Sequence, residues 1–104
     1  MNTLEQLEAT IRQRSDADPA SSYVAQLGAR GLPVMARKLG EEATEAVVAA
    51  LSGDAAELTA EAADLVFHLM VLLQAKGIAW GDVLAELERR EGLSGLAEKA
   101  ARKG

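Results

Sequence analysis

The chain has 104 residues, a formal net charge of −5 and no cysteine. That length suits a single domain. The acidic balance argues against binding nucleic acid or an anionic membrane surface, and the missing thiols exclude disulfide frameworks and thiolate metal sites. At 49% hydrophobic but only 3% aromatic residues, with Ala and Leu prominent, the composition favours packed helices over strands.

In chain order, the N-terminus MNTLEQLEAT is acidic and amphipathic, unlike a basic leader. Thr3 is read as the N-cap of a first helix reaching about Arg14, with Leu4, Leu7 and Ile11 on one stripe. Residues 15–22 are polar and contain Asp18-Pro19, a loop signal. Tyr23 to Leu27 reads as a short helix stopped by Gly28, and 28–31 as a second break. Pro33 fits the first turn of a helix ending near Leu51. Gly40 inside it costs roughly 1 kcal/mol relative to Ala; it marks either tolerated weakness or close approach of a backbone or ligand. After Ser52-Gly53-Asp54, Asp54 and Glu57 resemble a capping box, and the helix they open ends at Gly77 as its C′ residue. A last helix runs from about Trp80 to Arg90, with Val83, Leu84 and Leu87 expected to face inward and Gly92 ending it. The expected architecture is an all-α bundle of four to five helices.

The helix between Asp54 and Gly77 is the most apolar. Its Leu65, Val66, Leu69, Val71, Leu72 and Leu73 exceed what one helical partner covers, so a homodimer built around it is expected. The longest uncharged stretch, Leu65 to Ala75, is too short for a bilayer span. A soluble cytoplasmic protein is the resulting expectation.

Chemistry concentrates between Lys38 and His68. Glu42 and Glu45 share a face of one helix, with Glu41 beside them, and Glu61 and Asp64 form an equivalent pair on the next. The tight break between the helices makes them antiparallel neighbours and can bring the pairs together. Acids bordering so apolar a helix risk desolvation unless paired or bound to a cation. No Lys or Arg lies between Lys38 and Lys76. Four such carboxylates suit Mg²⁺, a hard cation that keeps positions open for water and phosphate oxygens. The pattern therefore points to Mg²⁺-dependent phosphate chemistry, with Glu41 as a general base or a support for the ligands. A solvated acidic face is the plain alternative. A di-iron bundle would need Glu-x-x-His repeats, and the chain has a single histidine, His68.

Lys38-Leu-Gly-Glu-Glu-Ala-Thr-Glu45 followed by Glu61-Ala-Ala-Asp-Leu-Val-Phe-His68 resembles the MazG-type all-α nucleotide pyrophosphohydrolases. More narrowly it resembles the phosphoribosyl-ATP pyrophosphohydrolase family. Ser22-Tyr23 and Val83-Leu-Ala-Glu-Leu-Glu-Arg-Arg90 share the likeness, which spans a core of residues 21–92 and leaves 93–104 as a tail. The chain departs from the pattern at Ala79-Trp80-Gly81 and in that tail. The resemblance implies a homodimer, Mg²⁺ held by Glu42, Glu45, Glu61 and Asp64, and hydrolysis of phosphoribosyl-ATP to phosphoribosyl-AMP and pyrophosphate in histidine biosynthesis. It leaves open a phosphoribosyl-AMP cyclohydrolase as partner.

Around these acids, Lys38 and Arg37 are candidates for substrate phosphate. Their position near a helix N-terminus is otherwise slightly unfavourable for cations. His68 shares a face with Glu61 and Asp64 and is a core or supporting histidine before it is a substrate contact. Tyr23 and Trp80 are candidates for stacking on adenine, Trp80 more naturally as a core or interface anchor. Arg30 is expected in a loop. Two other functions fit the same residues. One is a housekeeping pyrophosphohydrolase acting on nucleoside triphosphates or dUTP; the other is a non-enzymatic helical dimerisation module with solvated acids.

Overall fold

A computed structural model describes residues 2–91 and Arg102. Five helices follow one another: α1 (Thr3–Ser15), α2 (Tyr23–Arg30), α3 (Leu32–Ser52), α4 (Ala55–Ala75) and α5 (Trp80–Arg90). No strand occurs among the described residues. Gly92 and the tail lie outside them.

The helix ends follow local chemistry, with shifts from the expected positions. Asn2, not Thr3, caps α1: its Oδ1 accepts the Glu5 N–H at 2.8 Å, a geometry that makes Thr3 the first helical residue. Ser22 caps α2 by accepting the Ala25 N–H at 3.1 Å and donates its own hydroxyl to the Arg14 carbonyl at 3.1 Å. One side chain thus starts α2 and ties it to the end of α1. Gly28 does not stop α2. Its cost of roughly 1 kcal/mol is offset by burial of Val24, Ala25 and Leu27, and the helix continues to Arg30, which is therefore helical rather than in a loop. The break falls at Gly31, whose φ of +97° is open to glycine. α3 starts directly after it, with Pro33 in the first turn.

α3 and α4 are both 21 residues long, about 30 Å each, and form an antiparallel hairpin that dominates the packing. Its turn is tight. The Gly53 N–H bonds the Ala49 carbonyl at 2.9 Å, and a Cβ at Gly53 would sit 3.0 Å from that oxygen and against the Glu57 carboxylate. Asp54 caps α4 by accepting the Glu57 N–H at 2.9 Å, and Gly77 follows the last turn.

The core lies at the open end of this hairpin. Ile11, Val24, Leu27, Met35, Met70 and Val71 are buried together, with Leu4, Leu7, Val66, Phe67 and Leu72 packed against them. On α4, Met70 and Val71 are buried in this cluster, while Leu65, Val66, Leu69, Leu72 and Leu73 remain half-buried. The turn end is bare: residues 50–60 are all exposed, and Val47, Val48 and Leu51 of α3 stand in solvent, Leu51 at 85%.

α5 leaves α4 at 110° and departs from expectation. Val83 is half-buried, but Leu84 and Leu87 are 40% and 56% exposed, because among the described residues no other helix packs closely over that face. Its N-terminus is held at long range: Glu8 Oε2 accepts the Trp80 N–H at 2.6 Å, supplying a cap that Ala79 cannot. Among the described residues no single helix is long and apolar enough to cross a membrane.

Candidate active site

The acids meet where the covered half of the hairpin gives way to the bare half. Glu42 and Glu45 lie one turn apart on α3, and Glu61 comes from the facing turn of α4. These three each offer a carboxylate oxygen within 4.8 Å of the others. Glu42 is buried, Glu61 half-buried and Glu45 exposed. Asp64 is exposed, one turn beyond Glu61, outside this closest set but near enough for its charge to act on both Glu42 and Glu61.

The cluster's electrostatics are those of anions crowded together. Burial pushes the Glu42 carboxyl above its ordinary range, and neighbouring Glu45 raises it further, partly opposed by His68. Glu61 is raised by burial first, then by Glu45, Glu42 and Asp64. One oxygen of Glu42 and one of Glu61 are buried and make no hydrogen bond. A solvated acidic face would leave no such orphaned acceptors. A hard divalent cation answers both features, since it ligates the free oxygens and offsets the repulsion. The donor set, all carboxylate oxygen, is the chemistry that Mg²⁺ prefers.

The flanking residues sort into two groups. Glu41 is not among the three closest acids and sits between two cations, 3.4 Å from Arg37 Nε and 3.4 Å from Lys38 Nζ. Lys38 is raised above its usual value chiefly by Glu41, then by Tyr23, with a smaller contribution from Glu42. Arg37, Gly40, Glu41, Thr44 and Glu45 line a shallow depression. It adjoins a second one between α3 and α4 through Thr44 and Glu45, where Val48, Ala49, Ala60 and Glu61 contribute the walls. Together they form an open groove with the acids at its centre. A Cβ built at Gly40 meets nothing within 4 Å, so no backbone approaches there and the space belongs to the groove.

On the covered side, His68 is buried and bridges two helices. Its Nδ1 lies 2.9 Å from the Asp64 carbonyl and its Nε2 3.0 Å from the Tyr23 hydroxyl. Sequence reasoning placed His68 beside Asp64 but missed its bond to Tyr23, which is 45 residues away and has no local signature. Trp80 lies elsewhere, lining a small cavity with Glu8, Ile11 and Met70. It is an anchor of α5 rather than part of the groove. Arg30 is exposed at the end of α2.

A helical hairpin that turns carboxylates of both arms onto one point, beside an open groove with Arg37 and Lys38 near it, defines an all-α class whose acid cluster could hold a metal ion. The family model for phosphoribosyl-ATP pyrophosphohydrolase matches residues 4–91, and this chain belongs to that family. It is 68% identical over 102 residues to a phosphoribosyl-ATP pyrophosphatase of Erythrobacter litoralis, covering 98% of both chains. It is 65% identical to one of Rhizorhabdus wittichii, with 96% of this chain and 94% of the relative covered. A third, from Dinoroseobacter shibae, is 56% identical over 98% of this chain and all of the relative.

Proposed function

We propose that the chain hydrolyses the α–β phosphoanhydride of phosphoribosyl-ATP to give phosphoribosyl-AMP and pyrophosphate, the second step of histidine biosynthesis, with Mg²⁺ as cofactor and the cytoplasm as its compartment. The observation that carries this reading is the Glu42–Glu45–Glu61 cluster with two buried, unbonded oxygens, in a chain of this family. Glu42, Glu45 and Glu61 would hold the ion, with Asp64 completing the set. Bound Mg²⁺ supplies charge to offset the phosphates and acidifies an attacking water. Lys38 and Arg37, now shared with Glu41, receive substrate phosphate at the groove's rim. Releasing Glu41 from them frees its carboxylate to take a proton.

A homodimer completes this reading. Val47, Val48 and Leu51 on α3 and Leu84 and Leu87 on α5 expose apolar surface that a second copy would cover. The bare half of the hairpin, one edge of the groove, would then lie at the interface.

The test is incubation with phosphoribosyl-ATP and Mg²⁺, identification of both products, and the same assay on dUTP. Glu45→Gln and Asp64→Asn keep side-chain shape but are poorer Mg²⁺ ligands, so each should lose roughly 10²-fold or more in rate. Glu57→Gln should stay active, because its backbone N–H, not its carboxylate, serves the α4 cap. If all three variants match the parent, the cluster is not the site. If dUTP is the better substrate, the chemistry stands and the substrate assignment fails.

A further inference from the structure

The chain's single tyrosine and single histidine are bonded to each other at the edge of the acid cluster, and their bond has a direction. His68 Nδ1 faces the Asp64 carbonyl at 2.9 Å. A carbonyl only accepts, so Nδ1 carries a proton. In the neutral ring Nε2 is then an acceptor, and the Tyr23 hydroxyl, 3.0 Å away, donates its only proton there. Ring contacts hold the two side chains in this position. Tyr23 stacks on Phe67 with centroids 6.1 Å apart and planes at 22°, and His68 stands edge-on to both, 5.9 Å from Tyr23 and 5.2 Å from Phe67.

Tyr23 is nonetheless 46% exposed as a residue, and it lies close enough to Lys38 to affect its charge. Its oxygen therefore offers lone pairs, but no proton, to whatever occupies the site. Phosphate oxygens are acceptors and gain nothing from such a group; ligand O–H and N–H groups do. We infer that Tyr23 is a specificity-determining residue that accepts a hydrogen bond from a neutral donor of the substrate, a ribose hydroxyl or a base amine, while His68 is the positioning residue that commits its proton. This inference rests on the nucleotide substrate proposed above. It divides the labour of the site: Lys38, Arg37 and the carboxylate-held ion handle phosphate, and Tyr23 reads the nucleoside part.

Two measurements test it. Nitrogen NMR of the lone histidine in Mg²⁺ should show a protonated Nδ1 and a bare Nε2; a protonated Nε2 overturns the inference. Calorimetric titration of the parent and of Tyr23→Phe then reads the ligand side, the variant keeping the ring stack. Binding of phosphoribosyl-AMP should weaken roughly fivefold, as expected for one neutral hydrogen bond, and binding of pyrophosphate should not change. AMP and ribose 5-phosphate locate the donor, because the fragment that carries it weakens in Tyr23→Phe and the other does not. Unchanged phosphoribosyl-AMP binding, or an equal loss for pyrophosphate, overturns the inference. A parent that binds these nucleotides yet fails to hydrolyse phosphoribosyl-ATP defeats the proposed reaction alone.

Discussion

Replacing Glu42 with Gln should invert an order of stability. In the metal-free protein the Glu42 carboxylate has an oxygen within 4.8 Å of oxygens of both Glu45 and Glu61. Two like charges at that distance repel by about 1 kcal/mol in water and about 3.5 kcal/mol at an effective dielectric of 20. Glu45 is exposed, so the lower figure is the better guide. The amide removes the charge, and its N–H groups can donate to the remaining carboxylates. A gain of about 1 kcal/mol follows, or about 4 °C or more in Tm for a domain this small. Mg²⁺ reverses the ranking. At 100 times Kd a single bound ion adds about 2.7 kcal/mol to a protein that binds it only when folded, and Glu42→Gln forfeits most of this. Thermal melts in chelator and in Mg²⁺, at one fixed protein concentration, read both halves. If Glu42→Gln melts below the parent in chelator, the carboxylates do not repel one another, and if it gains as much from Mg²⁺ as the parent does, Glu42 is not a ligand.

Three further outcomes are expected. Because Glu42 and Glu61 have raised pKa values in the folded state, their favourable contribution is fully present below their ordinary range and lost as pH rises through the raised values. The metal-free parent should therefore gain on Glu42→Gln as pH falls from neutral into the ordinary carboxylate range, and a gap between the two melts that stays constant all the way down would contradict the shift. Sedimentation at micromolar concentration should show a dimer that Leu51→Glu disrupts; a 10.9 kDa monomer for the parent rules out the apolar face as an interface between copies. Glu8→Ala should cost about 1 kcal/mol by removing the side-chain acceptor that holds the start of α5, and should red-shift the fluorescence of Trp80, the sole tryptophan; unchanged denaturation and emission would show that the bond holds nothing.

What could be read from the sequence was local. Asp54 and Glu57 marked the start of α4 because a cap acts over three residues, and Gly77 marked its end for the same reason. Glu42, Glu45 and Glu61 were legible as a meeting point because two periodicities and one short turn fix their relative height on the hairpin. Errors of a turn or less, at Thr3 and Gly28, came from weighing one residue's propensity without the competing neighbour: Asn2 is the stronger cap, and burial in the core outweighs a helical glycine.

What could not be read depends on contacts between distant residues. Glu8 reaches Trp80 across 72 positions and Tyr23 reaches His68 across 45, and neither pair leaves a pattern in the chain. The same limit blurs the reading of exposed surface. Counting apolar residues made α4 the helix in need of a partner, and the packed chain buries Met70 and Val71 but leaves Leu65, Val66, Leu69, Leu72 and Leu73 half-buried. The most exposed large apolar groups include Val47, Val48 and Leu51 on α3 and Leu84 and Leu87 on α5, of which Leu84 and Leu87 were expected to face inward. A one-dimensional pattern reports how much apolar surface a helix owns, and only the packed chain reports how much of it is left over. The α3 part of that remainder falls on the bare half of the hairpin, which also carries one wall of the groove. In this fold, association of two chains and closure of the site would therefore draw on the same surface.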